Sequence, residues 1–380
     1  MFQLIKGLGS AARLKAAADH FGYKKILLVS GKKSYALSGI KQIIDSSFEA
    51  SEIVHFSDFS INPKLDDARK GVQIALHNKV DLIVAVGGGS VMDMAKIIKA
   101  LYDFPDRAEE ICSGTVDVVN SNLPIIAIPT TAGSGSEATH FAVVYIKGKK
   151  YSLAHDCLKP NAVILDGCCV MSAPKYLKSC NVLDALSQAI ESAWSVGSTD
   201  KSRNFAFESV AMCSSVMRDF VNGIGGEATA QKMLEGSNLA GQAIDISKTT
   251  AAHAWSYGFT SCYGIPHGHA VWLTLPKIFE IHGDSRVSEL NDPRGASHLN
   301  SIMTKLYCLL NLSENSVKIS TQLCEMLNDL GISVALQQEF ALAYEDRLLL
   351  SKMINTQRMG NNPVSFSTSQ VDYIFQLDEV

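Results

Sequence analysis

The amino-acid sequence predicts an α/β N-terminal domain built on a parallel sheet, followed by an all-α C-terminal domain. Three observations carry that reading. Short apolar strand segments alternate with helical segments as far as residue 174, the clearest strand runs directly into three glycines and a helix, and strand patterns vanish after Pro174. Strands that are apolar throughout, instead of at every second residue, belong to a sheet covered on both faces. At 380 residues the chain also exceeds what one core usually supports. We therefore expect one domain over 1–174 and a second over 175–380.

Taken in order, residues 10–21 read as a helix, and Lys25 to Ser30 as a buried strand closed by Gly31. A helix near Gly39 to Ser47 precedes a strand from Ile53 to Phe56 and a turn at Asn62-Pro63. Leu65 to Asn78 follows as an amphipathic helix. Asp81 to Val86 is the clearest strand, and Val91, Met92, Ala95, Ile98 and Leu101 then recur at helical spacing. Pro124 to Pro129 repeats the strand, and Ala162 to Asp166 is the last one. Beyond it we expect helices over 176–195, 200–223, 226–244, 247–257, 266–282, 296–310, 313–329, 333–342 and 344–354.

Composition excludes several classes. A net charge of −4 with a pI near 6.2, and no block of like charge, gives no electrostatic footprint for nucleic acid. Nine scattered cysteines without CxxC pairs suit reduced thiols in a cytosol. No run of about 18 apolar residues or secretory leader pattern is present, so a soluble, cytoplasmic protein without a membrane partner is expected.

Two loops and one apolar stretch hold the chemistry. Gly87-Gly88-Gly89 before a helix lets backbone amides approach a phosphate, with Ser90 as a helix cap and Asp93 closing a capping box. Taken alone, this is also a tight strand-to-helix turn. Thr130, Thr131, Ser134 and Ser136 follow a second parallel strand, and ligands of such sheets collect at the strands' carboxyl ends. Two such loops favour one shared dinucleotide.

The stretch from Lys248 to Pro276 is largely apolar yet contains His253, His267 and His269. In a single helix His253 and His267 would stand about 21 Å apart. Gly258, Gly264 and Pro266 allow the chain to reverse and bring them together. Two such imidazoles are either a satisfied core pair or ligands. Asp184 and Gln188, at i and i+4 in another apolar helix, add a carboxylate that needs a partner. One Asp and two His could hold a divalent ion with a position left open for an alcohol oxygen, which the ion would acidify.

Together, Gly87-Gly-Gly-Ser-Val-Met-Asp93, Pro129-Thr-Thr-Ala-Gly-Ser-Gly-Ser-Glu137, Asp184-Ala-Leu and Pro266-His-Gly268 resemble the iron-type, group III alcohol dehydrogenases over essentially the whole chain. The resemblance implies the dehydroquinate synthase-like fold of that family, with a metal and a nicotinamide cofactor, NAD or NADP, in the cleft between two domains. It implies Gly87, Gly88, Gly89, Ser90 and Asp93 at the pyrophosphate, and Thr130, Thr131 and Ser134 at the ribose and nicotinamide. Lys150 matches a cofactor-contacting lysine, and Gly31 and Asn62 complete the expected cofactor contacts. Asp184, His253 and His267 match ligands of an iron or zinc ion, and a homodimer is the expected assembly.

Three departures stand out. Gln188 replaces the usual histidine four residues after the Asp, which makes the site similar to the three-ligand zinc pattern of glycerol dehydrogenases and dehydroquinate synthases. We count Gln188 as a candidate fourth ligand. Tyr257, at i+4 from His253, stands where many members have another histidine, as a proton donor or a packed ring. Ser30-Gly31-Lys32-Lys33 lacks the acidic residue that would repel a 2′-phosphate. The wording around Glu191 to Thr199 and Lys248 to Ala254 resembles a branch with phosphonoacetaldehyde reductases and a 3-deoxy-octulosonate 8-dehydrogenase of lipopolysaccharide biosynthesis. Their substrates are small anions: the resemblance implies oxidation of the sugar acid at C8 ahead of phosphonoacetaldehyde reduction, and Lys248 is the candidate contact for the anionic group. Two other classes stand beside this oxidoreductase: a dehydroquinate synthase-like lyase or cyclase, and a non-catalytic binding protein.

Overall fold

The computed structural model describes residues 3–284, 289–313, 318–334, 336 and 340–377. The chain forms two compact units, Met1–Ala173 with Gly225–Asn238, and Pro174–Ile224 with Leu239–Val380. The return of Gly225–Asn238 to the first unit is something a single division after residue 174 does not anticipate. Buried polar contacts account for it: Gln231 accepts from the Gly167 amide (2.7 Å) and donates to the Leu165 carbonyl (3.1 Å), and Asn238 donates to the buried Glu137 carboxylate (2.9 Å).

The first unit contains β1 (Gln3–Lys6), β2 (Ile26–Ser30), β3 (Ile53–Phe56), β4 (Leu82–Gly87), β5 (Ile125–Pro129), β6 (Phe141–Ile146), β7 (Lys149–Ala154) and β8 (Ala162–Leu165). Six of them form one parallel sheet in the order β1-β8-β5-β4-β2-β3. The four inner strands are buried at every residue, which is why they read as unbroken apolar runs, while edge strands β1 and β3 are not. From β2 the chain moves outward to β3, and from β4 it moves the other way to β5. The order therefore reverses between β2 and β4, and ligands of open α/β sheets bind at the carboxyl ends of such strands. Gly31 and Gly87–Gly89 lie at those ends.

Helices α1 (Leu14–Asp19), α2 (Lys32–Leu37), α3 (Ile40–Ser47), α4 (Leu65–His77), α5 (Gly89–Leu101) and α6 (Ala108–Ser113) connect the strands. The helix expected over 10–21 is a 3-10 turn at Ser10–Arg13 followed by α1. Edge strand β1, helices α2 and α6, and the antiparallel hairpin β6–β7 were not expected from the sequence. The hairpin alternates between half-buried and buried residues along β6, and its two-residue turn has φ of 51° at Lys147 and 80° at Gly148.

Among its described residues the second unit is helical: α7 (Lys175–Trp194), α8 (Asp200–Asn222), the later part of α9 (Gly226–Ser247), α10 (Ala251–Tyr263), α11 (His267–Trp272), α12 (Leu275–Gly283), α13 (Gly295–Leu310) and α14 (Ile319–Asn328), then Tyr344–Lys352, Thr356–Met359 and Thr368–Phe375. The single helix expected over 266–282 is broken into α11 and α12, with Pro276 in the first turn of α12, where its missing amide leaves no hydrogen bond unmade. The helix expected over 247–257 begins only at Ala251 and runs on to Tyr263. Parts of the helices expected over 313–329 and 333–342 fall outside the described residues. All nine cysteines are free, and among the described residues no helix is long and apolar enough to cross a membrane.

Candidate functional site

In the second unit, the chain reverses where the glycines and proline of the histidine stretch predict. Helix α10 ends at Gly264, in the left-handed region at φ 68°, and α11 starts at His267 behind Pro266. Gly268 determines how closely α11 approaches α7. A Cβ at that position would lie 1.9 Å from the Cys180 carbonyl oxygen and 2.8 Å from the Asp184 amide nitrogen, so only glycine permits the contact. Trp272 reinforces it by donating to the Leu183 carbonyl (2.8 Å). His267, the residue before Gly268, is thereby brought against Asp184 on α7.

Asp184, His253 and His267 gather with one potential ligand atom each, all within 4.8 Å of one another. Asp184 Oδ1 stands 3.7 Å from His253 Nε2 and 3.8 Å from His267 Nε2, and the two rings meet edge to face at 5.3 Å. Ligands about 2.1 Å from a tetrahedral ion are roughly 3.4 Å apart, so a small contraction would close these three around one. His253 and Asp184 are buried, whereas the His267 side chain keeps 36% of its exposure and leaves one side of the cluster open.

Glu191 makes this more than a pair of core histidines. Its carboxylate, fully buried, hydrogen-bonds His253 Nδ1, accepts from the Thr250 hydroxyl (2.8 Å) and accepts from the Ala252 amide (2.8 Å) at the start of α10. Thr250 in turn accepts from Trp194 Nε1 (2.9 Å). With Nδ1 engaged by Glu191, the neutral imidazole of His253 carries its free lone pair on Nε2, and that atom is buried with no hydrogen-bond partner. A buried imidazole fixed by a carboxylate on one nitrogen and unsatisfied on the other is how metal-ligating histidines are built. Burial opposes charge on all three groups. The Glu191 charge and the contact with Asp184 nevertheless hold the His253 pKa above its ordinary value, and the histidines hold Asp184 and Glu191 below theirs.

Glu191 belongs to no motif that marks it as functional, although Asp184, Gln188 and Glu191 recur at i, i+4 and i+7 along one helix face. Gln188 donates to Asp184 Oδ1 (3.2 Å), and its own Oε1 is buried without a partner. Tyr257 is half-buried. Burial raises its pKa, and the Arg358 guanidinium, 5.5 Å above its ring centroid, pulls the value part of the way back. Arg358 was not anticipated; it sits outside every motif. Lys248 is exposed at a left-handed turn (φ 61°) and makes no bond to the cluster. His269 is held by Tyr176 (2.9 Å) and the Ser333 carbonyl (2.6 Å), which gives it a structural place. Asn361 bonds Gly197, Ser247 and Thr249, and Asn362 bonds Val364 and His282.

In the first unit the two loops meet. A Cβ on Gly88 would press on Thr131 Oγ1 at 3.1 Å and one on Gly89 on Ser134 Oγ at 3.0 Å, while the Thr130 amide donates to the Gly87 carbonyl (3.0 Å). Two features fit a dinucleotide phosphate: this glycine floor at the start of a 13-residue helix, and the buried, unpartnered Thr130 hydroxyl. The expected capping box at Ser90 does not form, because α5 begins two residues earlier, with Gly88 as its cap. Ser90 Oγ accepts from the Asn62 amide (3.2 Å), at a left-handed turn with φ 62°. Asp93 accepts from the Ser136 hydroxyl (2.8 Å) and the Val143 amide (3.2 Å), so it braces the second loop. Burial raises its pKa against the opposing charges of Lys96 and Lys150. Buried Lys96 pins the same loop through the Ser136 and Phe141 carbonyls and the Thr139 hydroxyl (2.7, 2.8 and 2.9 Å). Beside Gly31, Ser30 bonds His55 (2.7 Å) and Lys32 pairs with Asp58 (2.9 Å).

A model of the iron-containing alcohol dehydrogenases matches residues 3–167, and one of the C-terminal part of the Fe-containing alcohol dehydrogenase family matches residues 180–377. The chain belongs to the iron-containing alcohol dehydrogenase family. It is thus an alcohol dehydrogenase or aldehyde reductase, two directions of one reaction. Among relatives in this family, it is 28% identical to long-chain-alcohol dehydrogenase 1 of Geobacillus thermodenitrificans, over 86% of this chain and 82% of that one. It is 32% identical to the phosphonoacetaldehyde reductase of Streptomyces viridochromogenes, over 60% of each chain. Among solved structures, sulfoacetaldehyde reductase from Bifidobacterium kashiwanohense in complex with NAD+ is similar over 99% of this chain and 96% of that one, with a TM-score of 0.82 and 28% identity.

Proposed function

We propose that this chain is a metal-dependent, nicotinamide-linked alcohol dehydrogenase or aldehyde reductase acting on the primary alcohol or aldehyde of a small anionic molecule. The observation that carries the reading is the buried His253 Nε2, without a partner and facing Asp184, on a ring fixed by Glu191. Asp184, His253 and His267 would hold one divalent ion, iron or zinc, as Lewis acid for the substrate oxygen, and the nicotinamide cofactor, NAD or NADP, supplies or accepts the hydride. Gln188 orients Asp184 by its amide donation. The glycine floor of Gly87–Gly89 and the hydroxyls of Thr130, Thr131 and Ser134 bind and orient the dinucleotide, while Gly31, Asn62, Ser90 and Lys150 border it. Tyr257 keeps its proton at neutral pH and packs under Arg358.

The anionic class is supported by two relatives whose names state their substrates, phosphonoacetaldehyde and sulfoacetaldehyde. Oxidation of an octulosonate at C8 rests on sequence wording alone, and we place the small anionic aldehydes before it. The function is tested by supplying metal-loaded protein with NADH or NADPH and sulfoacetaldehyde, phosphonoacetaldehyde or propanal, under anaerobic conditions, and following nicotinamide absorbance. Net cofactor oxidation is expected. Product without net cofactor conversion would favour the dehydroquinate synthase-like class, and cofactor binding without turnover the binding-protein class.

A further inference from the structure

We propose that Arg358 is the residue that receives the anionic group of the substrate, a specificity determinant for sulfonate, phosphonate or carboxylate. The inference rests on the functional reading above and deepens it. Its ground is placement. Arg358 lies on the short helix Thr356–Met359, whose preceding residue Asn355 donates its amide to the Ala254 carbonyl (3.3 Å), one residue past His253. The Asn355 side chain caps that helix by accepting from the Arg358 amide (3.0 Å). Three residues on, Asn361 donates to the Ser247 and Thr249 carbonyls (2.8 and 3.1 Å), so the segment is tied at both ends to the start of α10. The guanidinium then lies over the Tyr257 ring, one helical turn beyond His253.

The Arg358 charge favours the Asp184 carboxylate but opposes positive charge on His253, and so also opposes a divalent ion held by the same residues. No carboxylate forms an ion pair with Arg358 among the described residues, and it is only half-buried, so the donors not turned to Tyr257 remain within reach of a ligand. A guanidinium presents planar donors that match sulfonate, phosphonate and carboxylate oxygens, and such charge-assisted bonds are about twice as strong as neutral ones. An anion bound there offsets the repulsion and aims the other end of a two-carbon aldehyde toward the ligand cluster. Lys248, exposed and unattached to the cluster, lacks this placement.

The test compares metal-loaded wild type, Arg358→Gln and Arg358→Lys. The readouts are kcat/KM for sulfoacetaldehyde and for propanal, and calorimetric binding of 2-hydroxyethanesulfonate in the presence of NADH, a pair that cannot exchange hydride and so needs no turnover. We expect Arg358→Gln to lower the ratio of the two kcat/KM values by about 10- to 100-fold, mainly through KM, and to weaken binding of the sulfonate by a similar factor. Arg358→Lys should recover part of both, having the charge without the planar fork. A wild-type preference for sulfoacetaldehyde that persists in Arg358→Gln would overturn the assignment of Arg358 alone. A wild type that favours propanal and does not bind the sulfonate would overturn the anionic-substrate reading, and this proposal with it.

Discussion

Replacing Gly268 by alanine is expected to reduce kcat/KM by about 100-fold or more and to weaken metal binding in parallel, while the protein remains folded. The added methyl would meet the main-chain oxygen of Cys180 at 1.9 Å and the amide nitrogen of Asp184 at 2.8 Å. Neither belongs to a flexible side chain, so relief requires α11 to withdraw from α7. His267 is the adjacent residue and must move with it, away from Asp184. Overpacking of this kind costs about 1–3 kcal/mol of stability, which most folded domains survive. A ligand constellation displaced by about an ångström does not keep its affinity or its alignment with substrate. Metal content per chain together with steady-state rates checks the prediction. Full metal occupancy and near wild-type turnover in Gly268→Ala would show that the close approach is not what aligns the site.

The second large effect concerns Glu191. Glu191→Ala should destabilise the protein by about 3–5 kcal/mol, because it leaves the His253 Nδ1, the Thr250 hydroxyl and the Ala252 amide buried without their acceptor. Denaturant unfolding of metal-free protein measures this. Glu191→Gln keeps the shape and one acceptor oxygen but removes the charge, so its expected cost lies chiefly in the metal: about 10- to 100-fold in affinity, as for other outer partners of ligating histidines. Equal metal affinity in wild type and Glu191→Gln would reduce Glu191 to a helix cap.

These two residues show what the sequence discloses and what it hides. Asp184, His253 and His267 were legible because a carboxylate in an apolar helix and two histidines divided by glycines and a proline demand an explanation. Gly268 was visible as part of a motif, but the reason for it, a backbone approach between two helices far apart in sequence, exists only in three dimensions. Glu191 was visible as one more polar residue on the Asp184 face, and only its bonds to Thr250 and Ala252 tie that face to α10. Arg358 was not legible at all, since nothing in its neighbourhood is periodic or patterned, and its meaning comes from where Asn355 and Asn361 anchor the segment. In the first unit the inner strands were readable because burial on both faces makes them uniformly apolar. The hairpin β6–β7 was missed because its alternating residues and Lys147-Gly148 turn lie between two parallel strands, where a helical crossover is the ordinary connection.

The most direct test of the central claim is a metal titration of chelator-stripped protein with Fe(II) or Zn(II), with bound metal per chain and nicotinamide-linked aldehyde reduction followed in the same samples, for wild type and for Asp184→Ala. One ion per wild-type chain is expected, with activity rising in proportion to occupancy and loss of both in Asp184→Ala. Undiminished reduction by the stripped protein, or stoichiometric metal binding that survives removal of Asp184, would contradict it.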